Sequence, residues 1–253
     1  MKIDKTYAVY FSPTGTSQKS AVSIARGIEG TLEEIDITNL PIESRAFSRQ
    51  DLVVFGVPVY GGRIPKEAIW RLKKFAGDHT PCVITVTYGN RDFDDSLLEL
   101  FNLVNKQGFI PIAAAALVGQ HTYGEIQVGR PDHQDEYQDG LFGSLVRLKM
   151  NKDDLTFVSV PGHYPYRPGG NAGKFRPLTN DKCNHCGLCV KKCPVQAIDK
   201  DDCCTIADNC LSCFRCIRIC PNQAKNMDEP NYQAFADEFS KKLSQRKENE
   251  YFV

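Results

Sequence analysis

The chain has 253 residues, 42% of them hydrophobic and 25% charged, enough for one large domain or two modest ones. Thirty-one acidic and 31 basic residues cancel, which removes the electrostatic case for a nucleic acid or a membrane surface as partner. No apolar run reaches the roughly 18 residues of a spanning helix, and the opening MKIDKTYAVYFSPTG is too short and wrongly flanked for a signal peptide, so a cytoplasmic location is expected.

The first strand-like run is Tyr7–Phe11. It leads into FSPTGTS at 11–17, which opens a helical pattern at 16–29. Hydroxyls at Ser12, Thr14, Thr16 and Ser17 surround Gly15. A phosphate dianion can take hydrogen bonds from such side chains and from the free N–H groups of a helix start. Gly15 lets the backbone come close. The loop has no Walker-type lysine, which disfavours a nucleoside triphosphate with magnesium. An ordinary capped helix start is the alternative.

Further strand-like runs follow at Leu32–Asp36, Leu52–Val57, Val83–Thr87 and Ile110–Leu117, with helical patterns at about 65–76, 94–107 and 132–149. The strands are mostly continuous in apolar character, as strands buried on both faces are. Their alternation with helices argues for an α/β fold, a parallel sheet with helices on both faces. The third strand runs into GVPVYGGRIP at 56–65 and the fourth into TYGNRDFDD at 87–95. Both loops lie at strand carboxyl ends, where open α/β sheets bind ligands. Tyr60 and Tyr88 can sandwich a flat ring system between them. A phosphate loop plus an aromatic slot describes flavin mononucleotide, FMN.

The order of these loops resembles flavodoxin over residues 1–150. The resemblance implies a doubly wound, five-stranded parallel sheet in the order 2-1-3-4-5, with FMN at the switch point. Carried onto this sequence, it puts Ser12, Thr14, Gly15, Thr16 and Ser17 on the phosphate. Pro58, Val59, Tyr60, Gly61 and Gly62 border one side of the isoalloxazine, and Tyr88, Gly89, Asn90 and Arg91 the other. Arg63 and Arg91 depart from the acidic surroundings of small flavodoxins. An arginine beside the ring favours the anionic hydroquinone, and Asp92, Asp94 and Asp95 can offset it. The stretch 119–143, with His121 and Tyr123, is long for a plain connection and can fold over the flavin or touch the following unit. Cys82, at a strand start, reads as core.

Residues 151–180 form a linker; PGHYPYRPGGNAGKFRPL has four prolines and four glycines in eighteen residues. Ten of the eleven cysteines then lie between Cys183 and Cys220. CNHCGLCVKKCP at 183–194 and CLSCFRCIRICP at 210–221 share the spacing C-x2-C-x2-C-x3-C-P. Disulfides and structural zinc are the competing readings, and the doubled motif with its terminal Cys-Pro argues against both. Three cysteines at i, i+3 and i+6 on a tight loop can reach three irons of one cubane, while the fourth starts the next element and points away.

Residues 181–227 resemble the bacterial-type 2[4Fe–4S] ferredoxin module, in which the fourth cysteine serves the other cluster. The resemblance implies one cluster on Cys183, Cys186, Cys189 and Cys220, and one on Cys210, Cys213, Cys216 and Cys193. Cys203 and Cys204 fall outside the spacing. They are either non-ligating thiols on a hairpin, or an alternative ligand or redox-active neighbour. His185 is either an exposed loop residue or a hydrogen-bond donor that tunes a cluster. Residues 228–253 offer Tyr232, Phe235, Phe239 and Leu243 at helical spacing, a C-terminal amphipathic helix with a charged, frayed RKENE end.

The whole chain is similar to fused flavodoxin–ferredoxin proteins, found mainly in anaerobes. That resemblance implies electron transfer between the two clusters and FMN, linking a low-potential donor to a redox protein: a ferredoxin, a reductase or an acceptor enzyme. A homodimer is left open. The alternative is an FMN-dependent reductase acting directly on a small molecule, and a third is a non-redox interaction protein that keeps its clusters as structure. No acid–base or nucleophilic constellation stands out. An exposed flavin edge fits the first reading, and a cavity roofed by 119–131 fits the second.

Overall fold

A computed structural model describes residues 3–28, 30–170 and 173–253. The expected last residue of the first helix, 29, and linker residues 171–172 lie outside the described residues. In chain order the first part runs β1 (Lys5–Tyr10), α1 (Thr16–Gly27), β2 (Thr31–Asp36), β3 (Arg45–Phe47), β4 (Asp51–Pro58), α2 (Lys66–Leu72) and β5 (Phe75–Gly77). It continues with β6 (Thr80–Tyr88), α3 (Ser96–Lys106), β7 (Phe109–Val118) and α4 (His133–Asn151). The second part holds β8 (Leu178–Thr179), α5 (Leu188–Lys191), α6 (Arg215–Arg218), β9 (Lys225–Asn226), α7 (Pro230–Lys242) and β10 (Glu250–Phe252).

The main sheet has six strands in the order β10-β7-β6-β4-β1-β2. Five of them are mutually parallel, and β10 joins β7 antiparallel. The five-stranded expectation is therefore corrected by one strand, and the strand comes from the chain's end. Residues 228–253 are not one helix: α7 stops at Lys242 and the chain returns to the sheet. Nor is RKENE frayed. Buried Arg130 donates to the Lys247 carbonyl at 2.7 Å, and the Val118 N–H donates to Asn249 Oδ1 at 2.8 Å. These partners satisfy backbone groups that an edge would otherwise leave to water.

Two apolar layers cover the sheet. Phe55, Ile84, Leu97, Leu100 and Phe109 pack on one face beneath α2 and α3. Ala8, Ile24, Val54, Ala113, Ala115 and Phe142 pack on the other beneath α1 and α4. Fully burying such a Leu or Phe side chain contributes roughly 1.5–3 kcal/mol. A methyl on Gly143 would overlap the Ile24 carbonyl, so glycine lets α4 lie close against α1. The α4 start is built by a capping box between Asp132 and Asp135. Strand β2 departs from the buried-strand reading: its residues are exposed or half-buried because it is the sheet's edge.

The proline-rich stretch after α4 does not hang free. Asp95 accepts from the backbone of His163 at 2.9 Å and Arg167 at 2.7 Å, and Gly170 N–H donates to the Tyr60 carbonyl at 2.8 Å. These bonds carry the chain past the β4 and β6 carboxyl ends. The cysteine-rich unit thus arrives beside the loops that follow β1, β4 and β6.

Candidate cofactor sites

At the carboxyl end of the sheet lies a cavity of about 260 Å³. Its floor is the β1–α1 loop: Ser12, Thr14, Thr16 and Ser17 line it. Gly15 caps α1 with φ 88°, a left-handed conformation that favours glycine. Gly15 itself has no side chain to cap the helix, and no acidic residue sits in the first turn. Ser12 Oγ is engaged, accepting from Gln18 N–H at 3.0 Å. Ser17 Oγ is fully buried and has no hydrogen-bond partner. Thr87 Oγ1, at the carboxyl end of β6, is also buried and unpartnered. An orphaned buried hydroxyl costs about 1–3 kcal/mol, and a bound ligand with acceptor oxygens removes that cost. The donor set therefore fits a phosphorylated ligand.

The walls are the two tyrosine–glycine loops. Pro58, Val59, Tyr60 and Gly61 line one side, Tyr88 and Gly89 the other. The two tyrosines are not equivalent. Tyr60 is half-buried at the cavity, and burial, then the nearby Cys213, push its hydroxyl pKa well up. Tyr88 is 3% exposed and packs on Phe93 with centroids 5.5 Å apart; burial pushes its pKa up to about 12.

Gly62, Asn90, Arg91 and Arg63 do not line this cavity. Gly62 and Arg91 border a second cavity of about 240 Å³ beside it, which shares Tyr88, Gly89, His121 and Tyr123 and is closed by Phe235 and Phe239. Asn90 instead clamps the C-terminal segment: its side-chain amide donates to the carbonyls of Leu243 at 2.8 Å and Gln245 at 2.6 Å. Arg63 is neutralised by Glu99, donating from Nε at 2.8 Å, and its guanidinium stacks on Tyr166. Arg91 pairs with Asp94. The aspartate offset is present at Arg91, through Asp94, whereas Arg63 is met by Glu99 instead.

The roof comes from 119–123. His121 Nδ1 accepts from the Tyr123 N–H at 2.8 Å, and the ring packs edge-on against Phe239 at 5.1 Å. Burial lowers its pKa to about 4, so the imidazole is neutral at ordinary pH. Gly173, Leu211 and Ser212 complete the wall. Leu211 and Ser212 are the two residues between Cys210 and Cys213, and sequence reasoning missed them: inside a ligand motif they read as spacers.

The cysteine runs fold as a repeat. Positive φ recurs two and four residues after the first cysteine of each run, at His185 and Gly187 and at Ser212 and Phe214. It recurs again three residues after each run's last cysteine, at Gln196 and Gln223. Backbone N–H groups are aimed at the sulfurs: Ala197 at Cys193 Sγ (3.3 Å), Ser212 at Cys210 Sγ (3.4 Å) and Ala224 at Cys220 Sγ (3.2 Å). Cys183, Cys186, Cys189 and Cys220 line one small cavity together. Cys193, Cys210 and Cys213 all act on the charge of Cys216. The sulfurs thus gather as three from one run and one from the other, a donor set that fits two cubanes. Burial pushes the Cys213 and Cys216 thiols up to about 12, so iron must displace their protons.

Family models match three segments: a flavodoxin domain at residues 7–81 and 4Fe-4S binding domains at 178–199 and 207–227. No match is found among curated proteins. Among solved structures, the chain is similar to a flavodoxin from the domain Archaea (13% identity, 58% of this chain and 99% of that one, TM-score 0.39). It is also similar to a Streptococcus pneumonia flavodoxin (13%, 57% and 99%, TM-score 0.41) and to a Synechocystis flavodiiron core (16%, 60% and 37%, TM-score 0.42). The domain content implies FMN, two 4Fe-4S clusters and an electron-transfer role. Among the described residues no helix is long and apolar enough to cross a membrane. The chain joins a flavodoxin domain at its N-terminus to two 4Fe-4S ferredoxin-type domains.

Proposed function

We propose that the chain is an internal electron relay in which electrons pass between the two clusters and FMN within one molecule, linking a low-potential donor to a redox partner. One observation carries the reading. Leu211 and Ser212, flanked by two cluster cysteines, are part of the flavin cavity wall. The cluster on Cys193, Cys210, Cys213 and Cys216 is then the flavin's neighbour. The cluster on Cys183, Cys186, Cys189 and Cys220 is the outer one, with Cys186 exposed. FMN supplies a centre that takes one or two electrons, and the clusters supply single electrons. The protein's own part is to hold the phosphate on Ser12–Ser17, exclude water with 119–123, and fix the separation of the centres.

A second reading is favoured by the roof. With His121 and Tyr123 over the flavin cavity and a second cavity alongside, a small molecule could be reduced directly at the ring. Stopped-flow reoxidation of the fully reduced protein separates the two. The relay reading expects redox proteins to reoxidise it at useful rates. Reoxidation by small acceptors alone sinks that reading in favour of the reductase.

A further inference from the structure

Cys203 belongs to neither cysteine run, yet it lies in the wall of the outer cluster's cavity with Cys183, Cys186, Cys189 and Cys220. The residue is 5% exposed, whereas its neighbour Cys204 is exposed. Its Sγ is 3.4 Å from Cys183 Sγ and 3.6 Å from His185 Nδ1. The three ligating atoms lie within 4.8 Å of one another.

The hairpin around Cys203 is held from both ends. Ile198 and Ile206 pair antiparallel, and the Asp199 N–H donates to the Thr205 carbonyl at 3.1 Å. Buried Lys225 donates to the Cys203 carbonyl and, at 2.7 Å, to Thr179 Oγ1. Cys203 is thereby turned inward by contacts that do not involve its sulfur. A mononuclear metal on Cys183, His185 and Cys203 competes with the cluster for Cys183, so the loaded protein leaves Cys203 as a fifth thiol beside four ligands.

Building on the cluster assignment above, we propose that Cys203 is a reserve ligand of the outer 4Fe-4S cluster, able to take the iron corner held by Cys183. The exchange balances without an oxidant. The Cys203 S–H bond breaks as its sulfur binds iron, the Cys183–iron bond breaks, and the released proton passes to Cys183. Iron keeps its oxidation state throughout. Where Cys183 is absent, the proton goes to solvent.

Iron content and the EPR spectrum of the dithionite-reduced protein, purified without oxygen, test this on four full-length variants: C183A, C186A, C203A and C183A/C203A. Cys183→Ala is expected to keep both clusters, with the signal of one altered by the new ligand set. Cys186→Ala and the double variant are expected to lose one cluster, about half the iron. Cys203→Ala alone is expected to keep all its iron. A C183A chain as iron-depleted as C186A, or one that fails to fold, overturns the reserve role, since Cys203 should have preserved the site. Loss of iron from C203A alone overturns it too, because that residue is then a resident ligand. If C186A also keeps both clusters, the rescue is not specific to Cys203 and the proposal fails. A wild-type chain that binds no second cluster refutes the cluster assignment itself, a separate result.

Discussion

The ring of Tyr123, which closes one side of the cavity proposed for the flavin, packs against the ring of Phe214 with centroids 5.2 Å apart. Phe214 directly follows the cluster cysteine Cys213. Phe175, Tyr232 and Phe235 surround the same tyrosine ring. One aromatic cluster therefore ties the roof of one cofactor site to the ligand loop of the other. Moving either side should be felt by both.

Iron removal is the first consequence. The cysteine unit has little apolar core of its own, so its fold depends on the clusters. A chelator under reducing conditions should unfold the 178–227 segment and open the wall formed by Leu211 and Ser212. We expect FMN affinity to fall by about tenfold or more, the effect of losing roughly 1.4 kcal/mol of contacts. Fluorescence titration of FMN into iron-free and iron-loaded protein reads this directly.

Ser17 gives a sharper test of the phosphate loop. Its buried hydroxyl has no protein partner. Ser17→Ala should leave the FMN-free protein as stable as before or slightly more so, because an unsatisfied polar group is removed. The same change should weaken FMN binding about tenfold, the usual size of a hydrogen bond to a charged group. Equal FMN affinity in the variant would remove Ser17 from the site.

Gly89 faces the roof. A methyl there would overlap the His121 ring. Gly89→Ala should displace His121 and loosen 119–123 at a cost of about 1–3 kcal/mol, as overpacking generally does. FMN should then exchange faster, and quenching of its fluorescence in the bound state should diminish.

The C-terminal strand carries a pH-dependent anchor. Asp139 is fully buried, accepts from the Tyr251 hydroxyl at 2.8 Å, and burial raises its pKa to about 7. The folded chain therefore holds a proton that the unfolded chain releases near pH 4. Its stabilising effect is complete below about pH 4 and is lost as pH rises through 7, on the order of a few kcal/mol. Asp139→Asn should remove this dependence. The melting temperature of the variant relative to wild type should rise between pH 5 and pH 8; a constant difference contradicts the assignment.

Much of this organisation is legible in the sequence because it is local. The helix start at FSPTGTS, the apolar strands and the doubled cysteine spacing each declare themselves within a few residues. Contacts made across the chain do not. Asn90 sits in a flavin-type loop, yet its amide reaches carbonyls of Leu243 and Gln245. For Arg63 the sequence offers Asp92, Asp94 and Asp95 as counter-charges, yet the partner is Glu99, on α3. Residues 250–252 become a strand only because β7 offers an unpaired edge, and no periodicity in EYF announces that.

The central claim is that electrons pass between clusters and flavin inside one molecule. Its most direct measurement is the rate of FMN reduction after rapid anaerobic mixing of the fully loaded protein with a one-electron donor that first reduces the clusters, repeated over a tenfold range of protein concentration. The relay predicts a cluster-to-flavin phase whose first-order rate constant does not change with protein concentration. A rate that rises in proportion to concentration would contradict it, because electrons would then be passing between molecules.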